Sequence, residues 1–446
     1  MIELLLVIFS TAMVLWTSDL PPFVSDNSAL TLIIEHLLLI LFSKVLIDKQ
    51  FRGQQVKSRR TYFLFFLIGY SISLIFTNFF WIPDMIKNYS TGWDTFDPIK
   101  YYAIANEMVS GGEGRSSVFF PVVFIYYVEM LVLGVHPLVP FFVNQFLYLY
   151  AVIILAKYVN CDSNYHLRKF AWLLLIPEAL YFNVTSSKDI LCLICATIIF
   201  VHTQKILSKN YTTSNYIIAA IAFVAMFIAR TGMALMAALS VAVFFLNFKK
   251  LGIKQVAFLL AGGLVFVFAV HFSDSLGVAT TASELSEKAE GQMSGDMSYA
   301  TELADQTSSA FANKLVPHNS VEFVVFGVIR SIVYAMLSPT DLHIFFEPQN
   351  FTLIYTEFYT SLLMTISWVE FFYIFVNRKR CLKGNLKKLA IVVVLYVLSV
   401  GMFNPMMIHR RYRLVYSLLF LALSLKSWLL IRDSRRKRLK INSVQS

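Results

Sequence analysis

The sequence predicts an all-α polytopic membrane protein, one integral membrane domain over residues 1–446 with about twelve transmembrane helices and two further helices at the outer membrane face. Three observations carry this. First, 57% of the 446 residues are hydrophobic and only 15% are charged, whereas a soluble domain carries about 25% charged residues, so the chain is short by roughly 45 charges. Second, apolar runs able to cross a ~30 Å hydrocarbon core recur along the whole length. Third, Lys and Arg cluster on alternate loops between those runs, as cytoplasmic loops do. Together they exclude a soluble enzyme, a nucleic-acid-binding module and a disordered chain.

The runs lie near 2–17, 28–47, 62–81, 137–157, 169–184, 189–205, 215–230, 232–247, 256–272, 352–376, 388–404 and 412–431. Twelve crossings put both termini on one side. The basic clusters at 49–60, 157–169, 205–209, 249–254, 378–388 and in the tail 432–446 then all face the cytoplasm, so both termini are expected there. The net charge of +11 is accordingly a topology signal and implies no nucleic acid. Two more apolar stretches, 118–134 and 321–338, do not fit as crossings, because either one alone would invert every basic loop after it. They are expected as juxtamembrane or re-entrant helices closing two outer loops, 82–134 and 273–350. The first stretch is broken by Gly134 and Pro137; the second loop carries Asp274, Glu284, Glu287, Glu290, Asp296, Glu302 and Asp305 against Lys288 and Lys314. The four cysteines, Cys161, Cys192, Cys195 and Cys381, give no disulfide framework. The Cys192-x-x-Cys195 pair sits in an apolar run, where packing explains it. The first apolar run starts at Ile2 without a basic stretch before it, which predicts no cleavable signal peptide.

Cations that break the charge rule are the useful signal. Lys188, Arg230, Arg330, His409, Arg410, Arg411 and Arg413 are all expected at outer helix ends, where a cation at membrane depth costs free energy unless it has a partner or a task. The matching counter-charge is a phosphate or diphosphate at headgroup level, held bidentately by guanidinium groups. Simpler explanations stand beside this: Lys188 snorkelling or pairing with Asp189, and Arg330 anchoring an amphipathic helix to lipid. Arg410, Arg411 and Arg413 point to different sides of any helix, so not all three can face one ligand. The first outer loop supplies carboxylates. In the stretch 93–107, Pro98 marks a helix start with Asp97 as its cap, and Tyr101 and Ala105 share one face. Asp94 or Asp97 is the candidate to take a proton from, or orient, an attacking hydroxyl, with His409 as a third candidate. Tyr101, Tyr102 and Glu107 are candidate acceptor or sugar contacts. No metal and no other cofactor is expected, because Asp94 and Asp97 alone are too few for an oxygen cage.

A loop reading Asp97-Pro-x-x-Tyr-Tyr-x-x-Ala105 after a transmembrane helix, an interfacial helix opening with Phe119-Phe-Pro121, and Ser187-Lys-Asp189 at an outer helix end resemble the polyprenyl-phosphate-dependent glycosyltransferases of the C superfamily (GT-C). The terminal basic cluster and the large outer loops are also similar to the O-antigen polymerases (Wzy proteins). The resemblance implies an enzyme of the bacterial inner membrane that joins undecaprenyl-diphosphate-linked oligosaccharide repeat units at the periplasmic face, in lipopolysaccharide or related surface polysaccharide biosynthesis. Arg230, Arg410, Arg411 and Arg413 would match diphosphate-binding positions and His409 a base or hydrogen-bond donor, with membrane lipid and a chain-length regulator as candidate partners. Two helices precede the one that leads into the Asp94 loop, whereas the C-type transferases usually begin with that helix. Two alternatives remain open at the sequence level: a transferase using a sugar donor on undecaprenyl phosphate, and a flippase for lipid-linked oligosaccharides. A flippase would line a central path with buried ionisable groups, and here those are few: Glu35, His36, Glu178 and Glu370.

The topology is testable by thiol labelling. A cysteine replacing Ser294 should react with an impermeant reagent in intact spheroplasts and one replacing Ser434 should not; labelling at 434 overturns the arrangement.

Overall fold

The computed structural model describes residues 1–21, 24–89, 97–112, 120–159, 164–185, 187–207, 212–230, 362–367, 384–403 and 410–445, with isolated positions elsewhere between 233 and 372. Among these every regular element is helical. In chain order they are α1 (Ile2–Trp16), α2 (Ala29–Gln50), α3 (Val56–Phe76), a π-helical turn (Thr77–Trp81), α4 (Ile82–Tyr89), α5 (Asp97–Val109), α6 (Phe120–Leu133), α7 (Leu138–Val159), α8 (Asn164–Lys169), a 3-10 turn (Phe170–Leu175), α9 (Pro177–Val184), α10 (Lys188–Leu207), α11 (Thr213–Ala229), α12 (Asn385–Phe403) and α13 (Arg410–Gln445). Five helical stretches among the described residues are long and apolar enough to cross a bilayer: Ala29–Gln50, Val56–Lys87, Leu138–Val159, Lys188–Ile206 and Leu414–Ser434. The chain is therefore an α-helical membrane protein. It divides into two compact units, residues 1–153 with 174–286, and residues 154–173 with 287–446.

Helix α2 shows how the sequence encodes a lipid-facing surface. Ser28 caps it, its Oγ accepting from the Thr31 amide at 3.2 Å. Leu32, His36, Leu39, Ser43 and Ile47 are buried at helical spacing, while Leu30, Ile34, Leu37, Leu41 and Val45 are exposed. A helix whose exposed face is uniformly apolar while its buried stripe holds histidine and serine has lipid, not water, on the outside. His36 is fully satisfied inside. The Thr11 hydroxyl donates to the Val7 carbonyl at 2.8 Å, so its oxygen accepts from His36 Nε2 at 3.1 Å. That leaves Nδ1 to accept from the Tyr70 hydroxyl at 2.7 Å. One neutral imidazole thus joins α1, α2 and α3.

The end of the first unit where α1 leads into α2 is tied by backbone. Ser25 Oγ donates to the Val135 carbonyl at 2.8 Å, and Asn27 Nδ2 to the Leu133 carbonyl at 3.2 Å. His136 accepts the Leu138 amide on Nδ1 at 3.0 Å and donates from Nε2 to the Thr17 carbonyl at 3.1 Å. Burial pushes His136 down to about 4, against the raising effect of its bond to Thr17, so the imidazole stays neutral. Gly134, at φ +90°, ends α6 by turning its amide onto the Met130 carbonyl at 2.7 Å, a left-handed stop that favours glycine. Helix α6, 14 residues long, covers about 21 Å and ends where the chain turns into α7.

Two expected crossings take a different form. The run at 62–81 continues through the π-helical turn into α4, two turns into the expected first loop. Asn78, in that turn, donates to the Met13 carbonyl at 3.0 Å, which ties the π turn to α1. The run at 169–184 is not one helix. The 3-10 turn ends at Leu175, Ile176 is extended, and Pro177 opens α9 at its first turn; a proline there cannot donate back into the preceding turn. The break lets the chain pack against Gly69 of α3, where an added Cβ would lie 2.9 Å from the Leu174 carbonyl oxygen and 3.5 Å from Leu180 Cδ2. Farther along, Asn183 donates to Gln145 at 3.3 Å and Gln145 to Ser73 at 3.3 Å, joining α9, α7 and α3. The expected crossings at 232–247, 256–272 and 352–376, and the second juxtamembrane helix at 321–338, lie wholly or largely outside the described residues.

In the second unit α12 packs on α13, and Asn385 Nδ2 donates to the Tyr158 carbonyl at 2.9 Å. His166 of α8 is held by two residues of α13: Lys426 Nζ donates to Nδ1 at 3.1 Å, and Nε2 donates to Asp433 at 2.7 Å. Burial and the Lys426 ammonium lower the pKa of His166, against the Asp433 carboxylate.

The Gly69 contact gives a stability test. Gly69→Ala should cost about 1–3 kcal/mol, because a backbone carbonyl rather than a flexible side chain must yield. Thermal unfolding of the detergent-solubilised protein should show a midpoint lower by several degrees, and an unchanged midpoint would mean that the end of the 3-10 turn at Leu174 does not pack there.

Candidate functional site

Antiparallel α10 and α11 form the most closely packed helix pair of the first unit. Helix α10 is buried on nearly all sides. Helix α11 turns Ala219, Ala222 and Met226 inward and exposes Ile217, Ile221 and Val224, and its small residues let the two backbones approach. The end of the pair far from the site is closed by His202, which donates from Nδ1 to Asn215 at 2.9 Å and accepts on Nε2 from Tyr150 at 2.9 Å.

The site end is built from the loop before α10. Ser187 Oγ accepts the Asp189 amide at 3.3 Å and donates to the Asp189 carboxylate at 2.8 Å, a local brace for the first turn. Arg230, in extended conformation just past α11, reaches the same carboxylate with Nη2 at 2.8 Å; the Asp189 side chain is 1% exposed and that of Arg230 15%. Asp189 is therefore the partner of Arg230. Lys188 turns elsewhere: its Nζ donates to the Tyr101 hydroxyl at 2.7 Å. It lies 5.2 Å from the ring centroid, at the hydroxyl edge rather than over the face.

Tyr101 is fully buried on α5 and its ring lies 6.3 Å from that of Tyr126 on α6, at 23°. One turn beyond Tyr126 stands Glu129. Ile125, Tyr126 and Glu129 of α6, Asn144 of α7, and Ser187, Lys188 and Leu191 line an open cleft of about 260 Å³, its mouth included. Burial pushes the Glu129 carboxyl up to about 8, so near neutral pH it is largely protonated and Lys188 sets the charge of the cleft. An anion is the ligand this arrangement favours.

Of the residues singled out from sequence, the structure brings Lys188, Tyr101 and Arg230 to one helix end. The Tyr102 hydroxyl is engaged by the Val24 carbonyl at 2.7 Å, and Glu107 is not among the cleft-lining residues. Helix α5 begins at Asp97, as Pro98 predicts; the Asp97 side chain, Asp94, Arg330 and His409 lie outside the described residues. Arg410, Arg411 and Arg413 form the first turn of α13 in the second unit, with their side chains outside the described residues. Sequence reasoning missed Tyr126, Glu129 and Asn144, and used Ser187 only as part of a motif. The available signal was Glu129 itself, a single carboxyl in the apolar stretch 118–134. Among the described residues no group of His, Cys, Asp and Glu could hold a metal ion.

Compared with protein-family models, with curated proteins and with solved structures, the chain matches none.

The ion pair can be tested by itself. Asp189→Asn should destabilise the solubilised protein by about 3–5 kcal/mol, because it strands a buried guanidinium. Adding Arg230→Met should recover part of the loss in a double-mutant cycle. Purely additive effects would mean the two side chains do not interact.

Proposed function

We propose that this protein is a membrane glycosyltransferase of GT-C-like, twelve-crossing architecture that polymerises undecaprenyl-diphosphate-linked oligosaccharide repeat units into O-antigen or a related surface polysaccharide. It works at the periplasmic face of the bacterial inner membrane, with both termini in the cytoplasm. The observation that carries this reading is the convergence of Lys188, Tyr126 and Asn144, from three separate helices, on one small open cleft at the end of membrane-crossing helices.

Each part suits a lipid-linked phosphorylated saccharide. The Lys188 ammonium supplies positive charge where a departing diphosphate develops negative charge. The edge of Tyr126 lines the cleft, and Tyr101, fully buried beside it, holds the Lys188 ammonium in place. The enclosed part of the cleft has room for little more than one water, so a diphosphate headgroup would meet Lys188 at the mouth, its polyprenyl tail staying in the bilayer. Arg230, committed to Asp189, positions the Lys188 turn as half of a neutral ion pair. Because polymerisation takes two lipid-linked diphosphates, donor and acceptor, Arg410, Arg411 and Arg413, with Arg330 and His409, are assigned to the second.

A strain lacking the gene should show surface polysaccharide with no rungs beyond one repeat unit. Full-length chains with altered side sugars would instead mean a branching transferase using undecaprenyl phosphate, and loss of every unit a flippase. In the complemented strain Lys188→Ala should likewise abolish the ladder while the protein remains in the membrane. A full ladder with that variant would remove the cleft from the reaction.

A further inference from the structure

We propose that Glu129 is the proton acceptor of the cleft, the role the sequence pattern gives to Asp94 or Asp97; the proposal rests on the polymerase reading above. Three observations point to it. Glu129 is the carboxyl among the cleft-lining residues, sharing that lining with Lys188, Tyr126 and Ser187. The nearest described alternative, Asp189, is committed to the Ser187 hydroxyl and the Arg230 guanidinium. And Glu129 stands one helical turn from Tyr126, whose ring packs beside that of Tyr101, the tyrosine holding Lys188. One wall of the cleft thus presents a cation and the facing helix a carboxyl, as a displacement needs: positive charge at the leaving group and a base at the nucleophile.

The step balances without a co-reactant. The acceptor sugar hydroxyl forms a new C–O bond to the anomeric carbon of the donor. The bond from that carbon to the diphosphate oxygen breaks, its electron pair leaving on undecaprenyl diphosphate beside Lys188. The hydroxyl proton passes to the Glu129 carboxylate and from there to water. Burial raises the basicity of that carboxylate compared with a solvated one. A stronger base takes the proton more readily, at the cost of being charged in a smaller fraction of molecules near neutrality.

The test uses the full-length protein in proteoliposomes with lipid-linked repeat units, read as chain elongation and, separately, as retention of radiolabelled repeat-unit lipid. Glu129→Gln should lose about 10²-fold or more in rate while retaining the lipid. Wild-type rate should rise with pH through about 8, because only the ionised carboxylate is a base, and Glu129→Asp should keep activity with that rise displaced. Lys188→Ala, in contrast, should lose retention of the lipid. If Glu129→Gln elongates at the wild-type rate while Lys188→Ala is inactive, Glu129 is not the base and the cleft reading stands. If both variants elongate normally, the cleft reading itself fails. Should the glutamine variant be absent from the membrane, the Glu129→Asp pH profile decides, and a profile superimposable on wild type overturns the proposal.

Discussion

The ion pair between Asp189 and Arg230 closes one end of the α10–α11 hairpin, and the rest of the first unit is arranged around it. Helix α10 is buried on nearly all sides, so its polar ends have no solvent to turn to and must be satisfied by neighbours. At one end His202 is used by Tyr150 and Asn215. At the other, Asp189 takes Ser187 and Arg230, which frees Lys188 to point away toward α5 and α6. Exchange those partners, with Lys188 on Asp189, and a buried guanidinium would be left without its carboxylate while the cleft lost its cation.

Burial of polar groups inside an apolar exterior recurs through the unit. His36 links α1, α2 and α3, and the Asn183–Gln145–Ser73 chain links α9, α7 and α3. In water such groups would face out and leucines would face in. In a bilayer the apolar side chains of α2 meet lipid, and the polar ones gain more from one another than from hydrocarbon. The broken segment before α10 follows the same logic: non-helical backbone at membrane depth is tolerated where protein covers it. Here Ile176 and Pro177 follow a stretch pressed against the bare backbone of Gly69. Residues of α6, α7 and α10 meet around an open cleft.

Much of this was legible from the chain alone. A long apolar stretch can satisfy its backbone in a bilayer only as a helix, which makes the α class a consequence of composition. Pro98 marks the start of α5, and Gly134 the end of α6, because each residue fixes its own backbone geometry. The periodicity of α2 separates its inner from its outer face. Lys188 and Arg230 stand out as cations at helix ends because a charge inside an apolar run is costly wherever it folds.

Partnership was decided only by the tertiary structure. Local sequence puts Lys188 beside Asp189, yet the carboxylate goes to Arg230, 41 positions away in number, because antiparallel packing of α10 and α11 brings that guanidinium within 2.8 Å. Tyr101 and Tyr102 are adjacent and chemically alike; one meets Lys188 and the other the Val24 carbonyl, because neighbouring side chains on a helix point about 100° apart. Glu129 reads in sequence as one acid in an apolar stretch, and becomes a cleft residue only when residues of α6, α7 and α10 meet. The sequence by itself determined the class, the helix ends and the costly charges, since these follow from local geometry and transfer free energy. Which charge meets which partner depends on contacts between segments far apart in the chain, and packing alone sets those.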